Sequence, residues 1–479
     1  MKEIVLAVLL IGLPVALAVA DLDVVKLAEA YKTLDMARND GKGSSESADS
    51  STLGWAEGAV MADYASMWEA TEDPYWLQKI SEHFHRIMAN ASDPEGDGYV
   101  SWYTAAYSSA LAWSERLHNV SDAQIEPDQQ KNRDGKQAAL CNGHTYLVDF
   151  HESAERFRLV DWTTREIIVD GVEYDGAEAT ITEIEPFTFN ISGPTHQGDR
   201  FLIRTMAPEP LRYAVHQGRF LYAVACLIAS VAENPQLQEQ FGADARTFLD
   251  FINRNVFEYF ERDWLDMGDT GGAYRFEPNL TDPYPNLIMP HNQYAELALV
   301  WLVLKDVEGA HPLMAERAEQ MVRYFKSHVY LDEENDAYYW RYSNWIEFGE
   351  PGHFFGPDSY ESIGYGNIDI KLPVEAVRRG VLFTDEDMQR FVNTWLRVMW
   401  NQDEDNPLMA SGVRGSAQYT GSPLQNGWIQ LSQWDPQVYE LALKAFEARG
   451  EDSQAVYVPA ILLSAKRAGV QLEGLVSEK

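Results

Sequence analysis

The stretch Tyr360 to Gly380, YESIGYGNIDIKLPVEAVRRG, gathers Tyr360, Glu361, Tyr365, Asn367 and Asp369 in its first half. Phenols, carboxyls and amides are the groups that bond polar ligands and move protons. Gly364 and Gly366 permit backbone angles that other residues avoid. Val374, Val377 and Val381 then recur at helical spacing, so a polar loop is expected to run into an apolar helix. Glu361 and Asp369 flank the glycines and form a candidate carboxyl pair, with Asp358 and Glu296 as alternates. Two carboxyls on either side of a bound sugar are what a glycoside hydrolase requires. Pro373 is costly inside a helix, so a helix is expected to start or kink there and leave Asp369 on the loop.

The elements that must position these groups read mainly as helices. Trp55 to Glu69 forms one, and Trp76, Ile80, Phe84 and Ile87 mark the inward face of the next. Pro290 opens a helix that is apolar almost all round from Ala295 to Leu304, and an amphipathic helix, Pro312 to Val329, follows it. The same alternation recurs in Tyr213 to Ala232 with Ala243 to Phe260, and in Trp428 to Ala448 with Ala455 to Ala468. Thr384 and Asp387 have capping-box spacing. Buried helices paired with covering helices predict a mainly α architecture, an (α/α) toroid of six or seven helical hairpins over residues 54–470. Residues 144–205 break the rhythm and read as a small β-rich insertion, with REIIVDGVEYDG as a glycine-turned hairpin, placed to cover the site or meet a second subunit. Residues 21–53 read as an N-terminal helix followed by a polar, flexible connector.

Residues 1–20 pair Lys2 with a short apolar run that ends in Ala-Val-Ala, the pattern of a signal peptide. The expectation is a secreted or periplasmic protein with no membrane attachment after cleavage. The chain carries 38 basic and 74 acidic side chains, a net charge of −36, which argues against nucleic-acid partners. A polyuronate would also be repelled at long range, but salt screens that repulsion beyond about 8 Å, so a locally basic funnel still works. The two cysteines, Cys141 and Cys226, lie far apart, and no zinc motif or phosphate-binding loop occurs, so no metal or cofactor is expected.

The chain holds 14 Trp and 24 Tyr, many in loops or at helix starts. Aromatic faces stack on sugar rings while their polar tips add hydrogen bonds. Trp102, Tyr103, Trp340, Trp345 and Trp428 are the candidate platforms for an oligosaccharide or polysaccharide.

The order PHNQYAELALVWL, YYWRYSNW, YESIGYGNIDIKLPVEAVRRGVLFTDEDMQRF, GWIQLSQWDPQVYELA resembles secreted α/α-toroid proteins of the polysaccharide lyase and uronate C5-epimerase kind, over about Trp55 to Ala468. Tyr365 stands where similar sequences are expected to carry His. The resemblance implies β-elimination or epimerisation at a uronic acid. Such chemistry needs donors that neutralise the carboxylate, a base for the C5 proton and an acid for the leaving oxygen. By residue type, Asn292 and Asn367 are candidate neutralisers, and Tyr365 or Tyr294 the candidate base and acid. His291, His216 and Arg341 are candidates to lower a tyrosine pKa or to hold the carboxylate. Arg219, in HQGRF, reads as a helix-start residue with structural bonds. Hydrolysis by the carboxyl pair, and carbohydrate binding without catalysis, remain the alternatives.

Overall fold

The computed structural model describes residues 22–117, 119–128, 140–282, 284–344 and 360–472. The signal-peptide segment, Trp345 and Asp358 lie outside the described residues. The helices that position the site are α1 (Val24–Ala37), α2 (Gly58–Thr71), α3 (Tyr75–Ala89), α4 (Ala214–Glu233), α5 (Pro235–Ile252), α6 (His291–Leu304), α7 (Met314–Ser327), α8 (Ile363–Asp369), α9 (Lys371–Arg378), α10 (Asp385–Asn393), α11 (Pro436–Glu447) and α12 (Val458–Arg467).

Local chemistry sets their ends. Asn234 caps α5 through Gln236 N, with Pro235 at the first helical position. Thr384 and Asp387 form the reciprocal capping box of α10. Trp76, Ile80, Phe84 and Ile87 are all buried on α3. Helix α4 lies between α2 and α6, α6 also meets α8 and α9, and α12 returns against α2. Helices α4 and α6 are buried round most of their surface, while the more amphipathic α3, α5 and α7 pack over them. Among the described residues, α4 alone is long and apolar enough to cross a membrane, and most of it is buried in this core.

The chain does not form the expected mainly helical toroid. It is 46% helix and 20% strand, with five antiparallel sheets, and is therefore a mixed α/β fold. Much of the difference is the β region, which begins well before residue 144. It comprises β1 (Leu111–Arg116), β2 (Gln124–Pro127), β3 (Thr145–Ser153), β4 (Arg156–Asp161), β5 (Glu166–Glu173), β6 (Glu178–Ile184), β7 (Phe187–Ser192) and β8 (Arg200–Met206). One sheet runs β1-β8-β3-β4-β5 and the other β2-β7-β6, and between them they hold a core of their own that includes Phe150, Phe157, Ile181, Phe189 and Phe201. Strands β1 and β2 are short and polar, and their partners β8 and β7 lie far along the chain, so no local pattern announced them. The expected hairpin at Gly171 is instead one strand, β5, in which Gly171 (φ 69°) sits where the register with β4 slips. Three two-stranded ribbons complete the count: Trp264–Asp266 with Gly272–Tyr274, Tyr330–Asp332 with Ala337–Tyr339, and Met409–Ala410 with Tyr419–Gly421.

Residues 41–53, expected to be a flexible connector, are bonded into the body. His83 Nε2 and Lys79 Nζ both reach the Gly41 carbonyl, Ser44 N donates to Glu57 Oε2 at 2.7 Å, and Ser45 is buried. Leu53–Glu57 forms a π-helical turn that leads into α2. Cys141 and Cys226 are free thiols, in the β region and on α4.

Candidate functional site

Close helix contacts build the site. A Cβ on Gly54 would strike His216, one on Gly58 would strike Arg219, and one on Gly218 would strike the Glu296 backbone. These glycines let the Leu53–Glu57 turn and α2 approach α4, and α4 approach α6. The result brings Trp55, Arg219 and Glu296 together from three segments. The Arg219 guanidinium lies 4.8 Å from the Trp55 ring centre, its Nε donates to the Gly54 carbonyl at 2.9 Å, and its Nη1 reaches Glu296 Oε1 at 3.5 Å. Lys371 Nζ, from the first turn of α9, bonds the same Glu296 oxygen at 2.7 Å. One buried carboxylate thus answers two cations, and Glu296 Oε2 has no hydrogen-bond partner among the described residues. Burial holds the Lys371 ammonium below its usual pKa.

Above this cluster opens a pocket of about 340 Å³ lined by Trp55, Arg219, Ser362, Gly364, Tyr365, Asn367 and Ile368. It shares Arg219, Asn367 and Ile368 with an adjoining cavity of about 170 Å³, whose wall adds Lys371, Glu69 and Arg467. Tyr365 is 38% exposed. Partial burial raises its phenol pKa, and the charges of Glu361 and Tyr107 add to the rise, so the phenol is held protonated. Asn367 Oδ1 accepts from Gly427 N at 2.7 Å, which leaves its amide N–H groups as donors. Tyr107 is exposed, and its hydroxyl accepts from Trp55 Nε1 at 2.7 Å. Behind these rings His216 is buried, with Nδ1 3.2 Å from Ser50 Oγ and Nε2 without a partner among the described residues. Burial pushes this imidazole down to about 3, so it stays neutral.

Tyr365 and Asn367 therefore face the pocket, and the other expected groups do not. Residues 363–369 are helical rather than a glycine-hinged loop, with Ser362 as the cap that accepts from Tyr365 N at 3.2 Å. Asp369 ends that helix fully buried, and Glu361 is buried beside it. Glu361 Oε1 takes Ser362 N at 2.6 Å, and Asp369 Oδ2 takes Trp340 Nε1 at 2.8 Å. The remaining oxygens, Glu361 Oε2 and Asp369 Oδ1, have no other partner among the described residues, and the two carboxyls act on each other. Burial above all raises both pKa values, so the pair keeps a proton in the core. Neither carboxyl lines the pocket.

At the start of α6, His291, Asn292 and Tyr294 are also buried, and His291 Nδ1 meets Tyr294 Oη at 2.7 Å. Burial pushes His291 down to about 3 and raises Tyr294. Tyr294 feels the Asp369 charge, so α6 and α8 do meet here, inside the protein rather than at an open cleft.

The aromatic platforms are largely core. Trp102, Trp340 and Trp428 are buried, because each indole N–H finds an acceptor within: Ile87 O at 2.8 Å, Asp369 and Ile363 O at 3.1 Å. Trp428 also stacks on Trp395 at 4.9 Å. Tyr103 is half-buried, and its hydroxyl accepts from Arg212 Nε at 2.8 Å. Arg341 pairs in a β-bridge with Tyr360 and lines neither cavity. The reserve carboxyl Glu296 is buried under its two cations. Trp55 and Arg219 in the pocket, and Lys371 in the adjoining cavity, were not among the expected site residues; Arg219 was expected to make structural bonds, and it does so to Gly54 and Glu296. The readable sign was the four-residue spacing of Gly54 and Gly58 around Trp55, a mark of close helix approach. Among the described residues no three His, Cys, Asp or Glu side chains gather as a metal site.

No protein-family model and no curated protein matches the chain. Two crystal structures of FlgL from Xanthomonas campestris, in different space groups, align at 12% identity over 47% and 50% of this chain and 83% and 87% of theirs, each with a TM-score of 0.15. That likeness carries no argument about fold or function.

Proposed function

We propose that the Trp55–Arg219–Tyr365 pocket binds a uronic-acid residue of an exported polysaccharide and acts at its C5 proton, as a lyase or epimerase. The observation that carries this reading is the pairing of cations with an accessible phenol. Arg219 faces the pocket and Lys371 the adjoining cavity, in a chain of net charge −36, and Tyr365 and Trp55 stand in the same wall as Arg219. Arg219 and the Asn367 amide would bond the carboxylate and make the C5 proton more acidic, while Trp55 gives the ring an apolar wall. In elimination the C5–H bond breaks, the C4=C5 bond forms, the C4–O bond breaks and the leaving oxygen takes a proton. The protonated Tyr365 phenol suits that last step, and the same oxygen would take the C5 proton in the first step only after giving its own proton to solvent. Hydrolysis finds less support, because Glu361 and Asp369 are sealed in the core.

The test is a panel of polyuronates and neutral glycans, followed by the ultraviolet absorbance of the unsaturated product, by exchange of the C5 proton with deuterated water, and by release of reducing ends. Absorbance or exchange on polyuronates supports the reading. Reducing ends with neither signal indicate hydrolysis, and binding with none of the three indicates a non-catalytic carbohydrate-binding protein.

A further inference from the structure

The outer face of the five-stranded sheet carries a row, ending in two open tryptophans, that lies outside the pocket. Strand alternation and register place Trp113 opposite Arg204, Arg204 opposite Thr145, and Thr145 beside Trp162, whose N–H donates to the Thr145 carbonyl at 2.8 Å. Trp113, Arg204, Thr145 and Trp162 therefore form one row across β1, β8, β3 and the end of β4. Leu202, Leu147 and Val160 form the next row, and Arg200, Asp149 and Arg158 the one beyond. The opposite face carries Tyr146, Val148, Leu159, Phe201 and Ile203 into the core between the sheets, whereas on the outer face Leu147 and Val160 are buried and Leu202 half-buried between the two polar rows.

Both tryptophans are open, Trp113 at 41% and Trp162 at 44% exposure. Each has a cation near it. Arg204 lies in Trp113's own cross-strand pair, its Nε held by Glu115 Oε1 at 2.9 Å. The Arg165 guanidinium sits 3.8 Å from the Trp162 ring centre. Arg165 adopts φ 69°, an uncommon conformation for a side-chain-bearing residue, in the turn that brings it back over that ring. Three arginines of the sheet face, Arg158, Arg200 and Arg204, are answered by Asp149 and Glu115. Strand spacing puts the two indoles about 14 Å apart across the sheet, within reach of one short stretch of polysaccharide.

The geometry points to this face as an ancillary binding site for an anionic polysaccharide chain, with Trp113 and Trp162 stacking on sugar rings and Arg204, between them, meeting carboxylates. It rests on the reading of the substrate as a carboxylated polysaccharide, and adds that the protein grips the chain at a surface separate from the pocket. Aromatic stacking on sugars tolerates many sequences, and the arginines select charged chains over neutral ones.

Native gel electrophoresis of the full chain through gels that contain polygalacturonate, alginate or neutral dextran tests this. The wild type should be retarded by an anionic polysaccharide and not by dextran. Trp113→Ala and Trp162→Ala should each weaken retention roughly tenfold, and Arg204→Gln should weaken it at low salt more than at high salt. Thermal melts keep folding separate, and neither exposed indole should shift them much. Equal retention of the double variant Trp113→Ala/Trp162→Ala and the wild type overturns the site, as does equal retardation in dextran or no retardation in either anionic gel. Turnover of short uronate oligosaccharides reports on the pocket alone. Tryptophan-dependent retention without turnover would sink the pocket reading and keep this one, and turnover without retention would do the reverse.

Discussion

The Arg219 guanidinium lies 4.8 Å from the ring centre of Trp55, and the same side chain bonds the Gly54 carbonyl and reaches Glu296. One residue thus fixes the pocket's aromatic wall, supplies its cation and ties that cation to a buried carboxylate. Lysine would keep the charge and lose the planar fork and the stack. Arg219→Lys should leave the protein folded and weaken uronate binding by about tenfold, read by titration calorimetry. Unchanged affinity would remove Arg219 from the site.

Tyr365 is the pocket's proton-bearing phenol, and its ring meets Tyr342 with centroids 5.4 Å apart. Tyr365→Phe keeps that packing and removes the hydroxyl. Turnover should fall by about 10²–10⁴-fold, with the substrate dissociation constant within a few-fold of wild type. Retention of most activity in this variant, with loss in Glu361→Gln, would reverse the assignment towards hydrolysis.

Glu296 is fully buried, and its side chain bonds Lys371 at 2.7 Å. Removal of Lys371 leaves the buried carboxylate with only the longer contact to Arg219, at 3.5 Å. Lys371→Met should cost about 3 kcal/mol, and Glu296→Gln added to Lys371→Met should recover much of it. Urea denaturation of the two single variants and the double variant gives the coupling energy. Strict additivity would mean that the ion pair contributes nothing of its own.

The buried carboxyl pair gives stability a definite pH dependence. Burial lifts Glu361 to about 7 and Asp369 above its usual range, so the folded state keeps protons that the unfolded chain has released. A raised carboxyl contributes stability that is full below the unfolded pKa and is lost as pH rises through the folded one, here from about 4 towards about 7. Asp369→Asn and Glu361→Gln replace the shared proton with an amide. Each should gain on the wild type by roughly 1–3 kcal/mol across that interval. The depressed imidazoles His216 and His291, both near 3, act with the opposite sign: their contribution is lost as pH falls below about 6.5. Denaturant midpoints measured over a pH series check both limbs, and parallel curves for Glu361→Gln and wild type would refute the shared proton.

The sequence by itself determined what depends on neighbours a few residues apart. The buried face of α3, the apolar α6, the capping box at Thr384 and the amphipathic α7 were all legible, because helical periodicity and capping are written within one or two turns. Tyr365 and Asn367 were legible as candidates because polar groups crowd one short stretch. Tertiary structure alone decided which side chains the interior absorbs. Asp369 and Trp340 satisfy each other, and Trp428 reaches the Ile363 carbonyl, so groups that look reactive or stacking in sequence become core. The β region and the ribbons escaped for a related reason: a short strand is defined by its partner, and β1 and β8 lie at opposite ends of their segment. Trp55, Arg219 and Glu296 meet only because glycines let three backbones come close, and that nearness is a property of packed helices rather than of any one of them.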